Sequence, residues 1–226
     1  MVGGAKGHGM SGHSGGGARD RILGRIGDIL GVRHETALAA HERIPRDYRI
    51  AATLAPDACL DLLTERLQHY QVDVYRAEPA TLSRTIAAAL AARSKTRIIV
   101  PVDIDPAWLP GEVAFTPDAG LSFDDLDRSE GVLTGCSFAI ANTGTIVLRH
   151  AAGEGRRALT LIPDYHLCVI LAGRVVHTVP EALRGVAECR PALLTTISGP
   201  SATADIEMTR VRGVHGPRTL DVVLVS

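Results

Sequence analysis

Hydrophobic positions along this chain fall into two recurring patterns. Apolar residues spaced at i, i+3, i+4 and i+7 mark amphipathic helices, and short unbroken apolar runs mark strands covered on both faces. Pro56 and Asp57 open a helix that carries Leu60, Leu63 and Leu67 on one side. The segment Pro79–Arg93 is rich in alanine and has high helix propensity throughout. Ser122 and Asp125 form an acidic N-cap pair for a short helix, and Thr178 with Glu181 makes a capping box for a helix reaching Glu188. Between these lie the expected strands Val72–Tyr75, Arg97–Val100, Val132–Ile140, Thr145–Leu148, Leu167–Leu171, Leu193–Ile197 and Leu220–Val225. This alternation predicts the α/β class, an open and mostly parallel sheet with helices on both faces and an antiparallel pair at 132–148 near its centre. In such sheets ligands lie beyond the carboxyl ends of strands, so the turns that follow strands are the first place to look.

The pattern begins at about residue 50, which predicts an α/β domain over residues 50–226. Residues 1–18 are dominated by glycine and are expected to form a disordered tail. Residues 19–49 read as a helical arm, with Ile22, Ile26, Ile29 and Leu30 on one stripe. Such an arm either packs on the domain or reaches a partner subunit.

Composition narrows the partners. Apolar residues make up 46% of the 226, enough for a sizeable core, and the 24 basic residues against 25 acidic leave no excess charge to neutralise a phosphate backbone. Aromatics at 4% are too few for a base-stacking platform, so nucleic acid is not expected as a partner. The longest apolar runs fall well short of the roughly 20 residues that span a bilayer, and the amino terminus has no apolar secretory core, so the expected location is the cytoplasm. Cys59, Cys136, Cys168 and Cys189 form no closely spaced metal motif and read as reduced, mostly buried thiols. No metal site and no classical nucleotide loop is expected in this chain.

Three turns carry residues suited to chemistry. In Ala139–Thr145, Thr143 and Thr145 flank Gly144, giving either a neutral cradle for a carboxylate or phosphate or an ordinary hairpin turn. The segment Ser198–Glu207 offers hydroxyls at Ser198, Ser201 and Thr203 and carboxylates at Asp205 and Glu207. If residues 201–207 start a helix, their free N–H groups attract an anion and the acids serve as a general base or simply satisfy the helix dipole, whereas in a strand Asp205 and Glu207 share one face. In Arg212–Arg218, His215 sits between Gly213 and Gly216 with arginines on either side, and it is either placed for proton transfer or anion contact or simply a satisfied loop histidine. His166 either joins the same crevice or caps its strand, whereas His150 and His177 read as structural or surface residues.

Taken together, Gly199-Pro-Ser-Ala-Thr-Ala-Asp-Ile-Glu207 and Gly213-Val-His-Gly-Pro217 resemble the carboxyl-terminal signature of the lactate-utilization protein C family, the LUD domain. The segment Ala141–Val147 looks like the central turn of that family, and Leu161-Ile-Pro163 with His166 fits its pattern. The resemblance covers about residues 50–226. It implies a fold similar to the NagB/RpiA/CoA-transferase class and a cytoplasmic bacterial subunit of L-lactate oxidation to pyruvate. That subunit would work beside iron–sulfur partner proteins that carry the clusters, and this chain would bring no cofactor of its own. The expected ligand is a small carboxylate, acyl or phosphate group. Thr143, Gly144, Thr145, His166, Gly199, Ser201, Thr203 and Gly216 would hold it, with His215, Asp205 and Glu207 as the catalytic candidates. Two alternatives stand beside this: a non-catalytic assembly or regulatory subunit, also open to homo-oligomerisation, and an independent isomerase or CoA-transferase-like enzyme with Glu207 or Glu154 as its nucleophile.

Overall fold

The computed structural model describes residues 17–30, 39–45, 54–189, 193–204, 210–212 and 215–226. The chain divides into two units, residues 1–48 and 49–226. Within the first, helix α1 (Ala18–Leu30) leaves Ile22, Leu23, Ile26, Ile29 and Leu30 exposed. Most of the expected glycine-rich tail falls outside the described residues.

In the second unit, α2 (Pro56–His69) begins with proline in its first turn and carries Arg66 and His69 in its last, where cations suit the helix dipole. Strand β1 (Asp73–Ala77) leads to a 3-10 turn and α3 (Leu82–Ala92). Both long helices end in a Schellman motif. Gln71 and Ser94 take positive φ, and the N–H groups of Val72 and Lys95 return to Leu67 O and Leu90 O. Strands β2 (Arg97–Val100) and β3 (Ala114–Pro117), the capped helix α4 (Phe123–Asp127) and strands β4 (Val132–Thr134), β5 (Phe138–Ile140) and β6 (Thr145–Leu148) follow. Then come β7 (Tyr165–Leu171), β8 (Val175–Val176), α5 (Val179–Cys189), β9 (Thr195–Ile197), β10 (Ala202–Ala204), β11 (Arg210–Arg212) and β12 (Thr219–Val225).

Six strands form an all-parallel sheet in the order β1-β12-β7-β4-β2-β3. Its long central strands alternate sides. Leu167, Val169 and Val223 pack with Leu82, Ile86 and Leu90 of α3 on one face. On the other, Cys168, Ile170, Val222 and Leu224 pack with Leu60, Leu63 and Leu67 of α2 and with Ala139, Ile146 and Leu148. Each fully buried leucine or isoleucine contributes roughly 2 kcal/mol. The fold is therefore α/β with a parallel sheet flanked by helices on both faces.

A second, four-stranded sheet runs β8-β5-β6-β9, and α5 covers its far side through Ala182 and Val186. This corrects two expectations. The run 132–140 is two strands, β4 and β5, which separate at Gly135–Ser137 and join different sheets, so the antiparallel pair lies outside the main sheet. The run 193–197 is an edge strand of the small sheet with Leu193 exposed, because Thr195 and Thr196 do not suit a core strand. The choice left open for residues 201–207 falls to strand at Ala202–Ala204, which pairs with Arg210–Arg212 as an antiparallel ribbon.

Of the four thiols, Cys59 and Cys168 are buried, Cys136 is half-buried and Cys189 is exposed. No helix among the described residues is long and apolar enough to cross a membrane.

Candidate functional site

Three segments distant in the chain line one cavity of about 310 Å³: Arg157–His166, Thr195–Ser201 and His215–Leu220. The register explains the meeting. Leu220 pairs with His166 at the second position of β12 and β7, so the cavity opens at the amino ends of these strands. The expected carboxyl-end location is thereby corrected. The turn Ser198–Ser201 does follow a strand, but that strand belongs to the small sheet.

His166 is almost fully buried, and its Nε2 lies 2.8 Å from Thr134 Oγ1. Thr134 donates its single proton to Gly135 O at 2.9 Å, so its oxygen accepts from Nε2–H. Among the described residues the ring's Nδ1 has no hydrogen-bonding partner. Burial drives the imidazole pKa from 6.5 down to about 4, which keeps it neutral at pH 7. His215 is exposed at the rim, and its backbone N–H donates to Ser201 Oγ at 3.1 Å. Ser201 N–H in turn donates to Pro217 O at 2.8 Å, which ties the two turns together.

The central turn plays a different part from the expected one. Thr143, Gly144 and Thr145 do not line the cavity. Gly144 has φ 62°, and a Cβ there would meet Arg66 Cβ at 2.8 Å, so the close approach it permits is to helix α2. Gly199 seats its turn in the same way on Tyr70, with φ 82°. Thr145 reaches the cavity wall only through Ser198, Oγ1 to Oγ 2.8 Å, and Thr143 reaches Thr145 at 2.7 Å.

Thus His166, Gly199, Ser201, His215 and Gly216 meet at one cavity, and Thr143 to Thr145 stand behind it. Asp205 and Glu207 lie outside the described residues, and Thr203 is the middle residue of β10. Glu154 is buried and accepts from Ser137 Oγ, Arg149 N and Ala151 N, so it faces no ligand space as a nucleophile would.

The sequence reasoning missed Arg157 and Thr195, and it read His150 as a structural or surface residue. Arg157 and Thr195 line the cavity, and His150 Nε2 lies 2.9 Å from Thr195 Oγ1. No local motif surrounds them. The titratable side chains of the lining are Arg157, His166 and His215, and no carboxylate lines the cavity among the described residues. The cleft presents cationic and neutral donors to whatever enters it.

Fold and cleft together define a parallel α/β protein with a small polar cavity, open at the amino ends of its central strands. The LUD domain model matches residues 122–225, the stretch that supplies every cavity segment. Lactate utilization protein C of Deinococcus radiodurans is 44% identical over 184 residues, which covers 79% of this chain and 85% of that protein. The protein of the same name from Shouchella clausii is 25% identical over 92% of this chain and 97% of its own length. A crystal structure of a DUF162 family protein from Deinococcus radiodurans superposes with a TM-score of 0.68 at 38% identity, covering 76% of this chain and 99% of that one. The chain belongs to the lactate utilization protein C family.

Proposed function

We propose that this chain serves lactate utilization as a cytoplasmic subunit that holds a small carboxylate, lactate or pyruvate, in the cavity beneath His166 and His215. The observation that carries this reading is the cavity lining itself: a guanidinium, two imidazoles and several hydroxyls, with no carboxylate among the described residues that line it. The names of the relatives supply the substrate class. Electron transfer is assigned to iron–sulfur partner proteins. The neutral buried His166 suits a proton acceptor from a substrate hydroxyl, and the exposed His215 suits exchange of that proton with solvent.

The test is thermal unfolding of the purified chain with L-lactate, pyruvate, phosphate and acetyl-CoA in separate arms. Ligand at a hundredfold excess over Kd stabilises by about 2.7 kcal/mol, several degrees in Tm for a chain of this size. A rise with lactate or pyruvate is expected. No rise with either at millimolar concentration defeats the reading, and a rise with acetyl-CoA alone turns it toward acyl transfer.

A second reading, an assembly subunit, draws support from the exposed apolar stripe of α1. Reconstituted lactate oxidation separates the two. Unchanged turnover in His166→Leu and His215→Ala complexes favours assembly, and lost turnover with intact complexes favours the binding site.

A further inference from the structure

Arg157 opens a 3-10 turn between the cavity and an adjoining cleft of about 640 Å³, and it lines both. Neighbouring arginines are engaged by carboxylates: Arg156 by Asp118 at 2.7 Å and Arg218 by Asp164 at 2.9 Å. Among the described residues Arg157 has no carboxylate partner. Its Nη1 donates instead to the neutral Thr195 Oγ1 at 3.3 Å.

Arg157 can only donate in that bond, and the far neighbour of Thr195 settles where the threonine proton goes. His150 Nδ1 lies 2.9 Å from Gly155 O, and a carbonyl can only accept, so Nδ1 carries a proton. In the neutral ring Nε2 then accepts, and it takes the hydroxyl proton of Thr195 at 2.9 Å. The Thr195 oxygen is left with lone pairs for Arg157. His150 holds this position at φ 58°, a conformation uncommon outside glycine and of the kind that collects near functional sites.

We infer that Arg157 is the carboxylate-binding residue of the cavity, and that Thr195 and His150 are positioning residues that hold its guanidinium there. One N–H of five is tied to Thr195, which leaves the planar fork able to grip both oxygens of a carboxylate. Leu161, Ile197 and Leu220 supply an apolar wall. The ligand class is therefore a monocarboxylate with a short apolar substituent. This rests on the reading of the cavity given above and names the residue that makes it selective.

The experiment compares equilibrium binding of L-lactate and its uncharged analogue lactamide by calorimetry. Arg157→Gln is expected to weaken lactate about tenfold or more and to abolish its advantage over lactamide, and Arg157→Lys to restore only part. Thr195→Val and His150→Asn are expected to weaken lactate several-fold, about 3 to 10 times, with lactamide unchanged. Thr195→Ser is expected to stay within about twofold of wild type. Asparagine tolerates the left-handed conformation at position 150, and unfolding midpoints without ligand show that each variant is folded. Wild-type binding of lactate with Arg157→Gln unaltered overturns the assignment alone. Unaltered binding in both Thr195→Val and His150→Asn overturns the positioning role. A wild-type chain that binds neither lactate nor pyruvate overturns the cavity reading and this inference with it.

Discussion

The amino ends of β7 and β12 carry two buried polar sites, one on each face of the sheet. On the α3 face, Asp221 is fully buried and grips Arg93 through both oxygens, at 2.7 and 2.8 Å, while Tyr165 Oη donates to Asp221 Oδ2 at 3.1 Å. Arg93 also reaches Asp73 on β1 at 2.7 Å, and it arrives there because α3 ends at residue 92 and leaves it as the cap. On the opposite face, one residue along β7, His166 is buried beside Thr134 and faces a cavity. The first site is closed: its acid has a base, the pairing raises the Arg93 pKa, and burial raises that of Tyr165. The second is open, because burial has removed the charge of its histidine and no partner among the described residues occupies Nδ1. Strand alternation alone separates a structural knot from a candidate reactive group.

The sharpest way to break this comparison is to attack each site and read both stability and binding. Arg93→Met leaves Asp221 buried without its cation, and the expected loss is about 3–5 kcal/mol in urea unfolding, with lactate affinity unchanged in the folded fraction. A comparable loss of affinity would mean that the two faces are coupled.

The open site predicts a pH effect of the next size. The folded pKa of His166, about 4, lies below its unfolded value near 6.5, so between these pH values the unfolded chain binds more protons. Stability therefore falls as pH drops through this window, by about 3 kcal/mol in all. Glu130 acts in a separate range: hydrogen bonds from Thr96 N–H and the Arg97 side chain hold its pKa at about 2, and the stability it adds is lost only as pH falls from 4.5 toward that value. His166→Leu should flatten the stability profile between pH 6.5 and 4.5 relative to wild type and remove most lactate stabilisation, while Thr134 keeps its bond to Gly135 O. An unchanged profile in the variant would show that His166 titrates normally in the fold.

Much of the architecture was legible because it is encoded locally. The capping box at Ser122–Asp125, the stripe on α2 and the apolar runs of β7 and β12 each specify their element within a few residues. The division into two sheets was not legible, since Val132–Ile140 reads as one strand and only tertiary pairing cuts it at Gly135. The site was half legible. Glycine-flanked His215 and the Ser198–Ser201 turn stand out in the sequence, and both line the cavity. Arg157 and His150 do not stand out, because their roles come from cross-chain geometry. Leu148 pairs with Thr195 across β6 and β9, which sets the loop bearing His150 beside that threonine. The same register carried one step further places Thr145 opposite Ser198.

That last pairing supports the smallest and most discriminating prediction. The hydroxyls of Ser198, Thr145 and Thr143 form a chain that begins at the cavity wall and ends in the hairpin turn. A hydrogen bond to a ligand is worth about 1 kcal/mol, and its influence fades when the altered group is two bonds removed. Ser198→Ala should therefore weaken lactate about fivefold. Thr143→Val should change it by less than about twofold. Equal losses in calorimetric titrations of the two variants would return the central turn to the binding site itself. The expected gradient leaves it as the buttress that, through Gly144 on α2, fixes where the Ser198 hydroxyl stands.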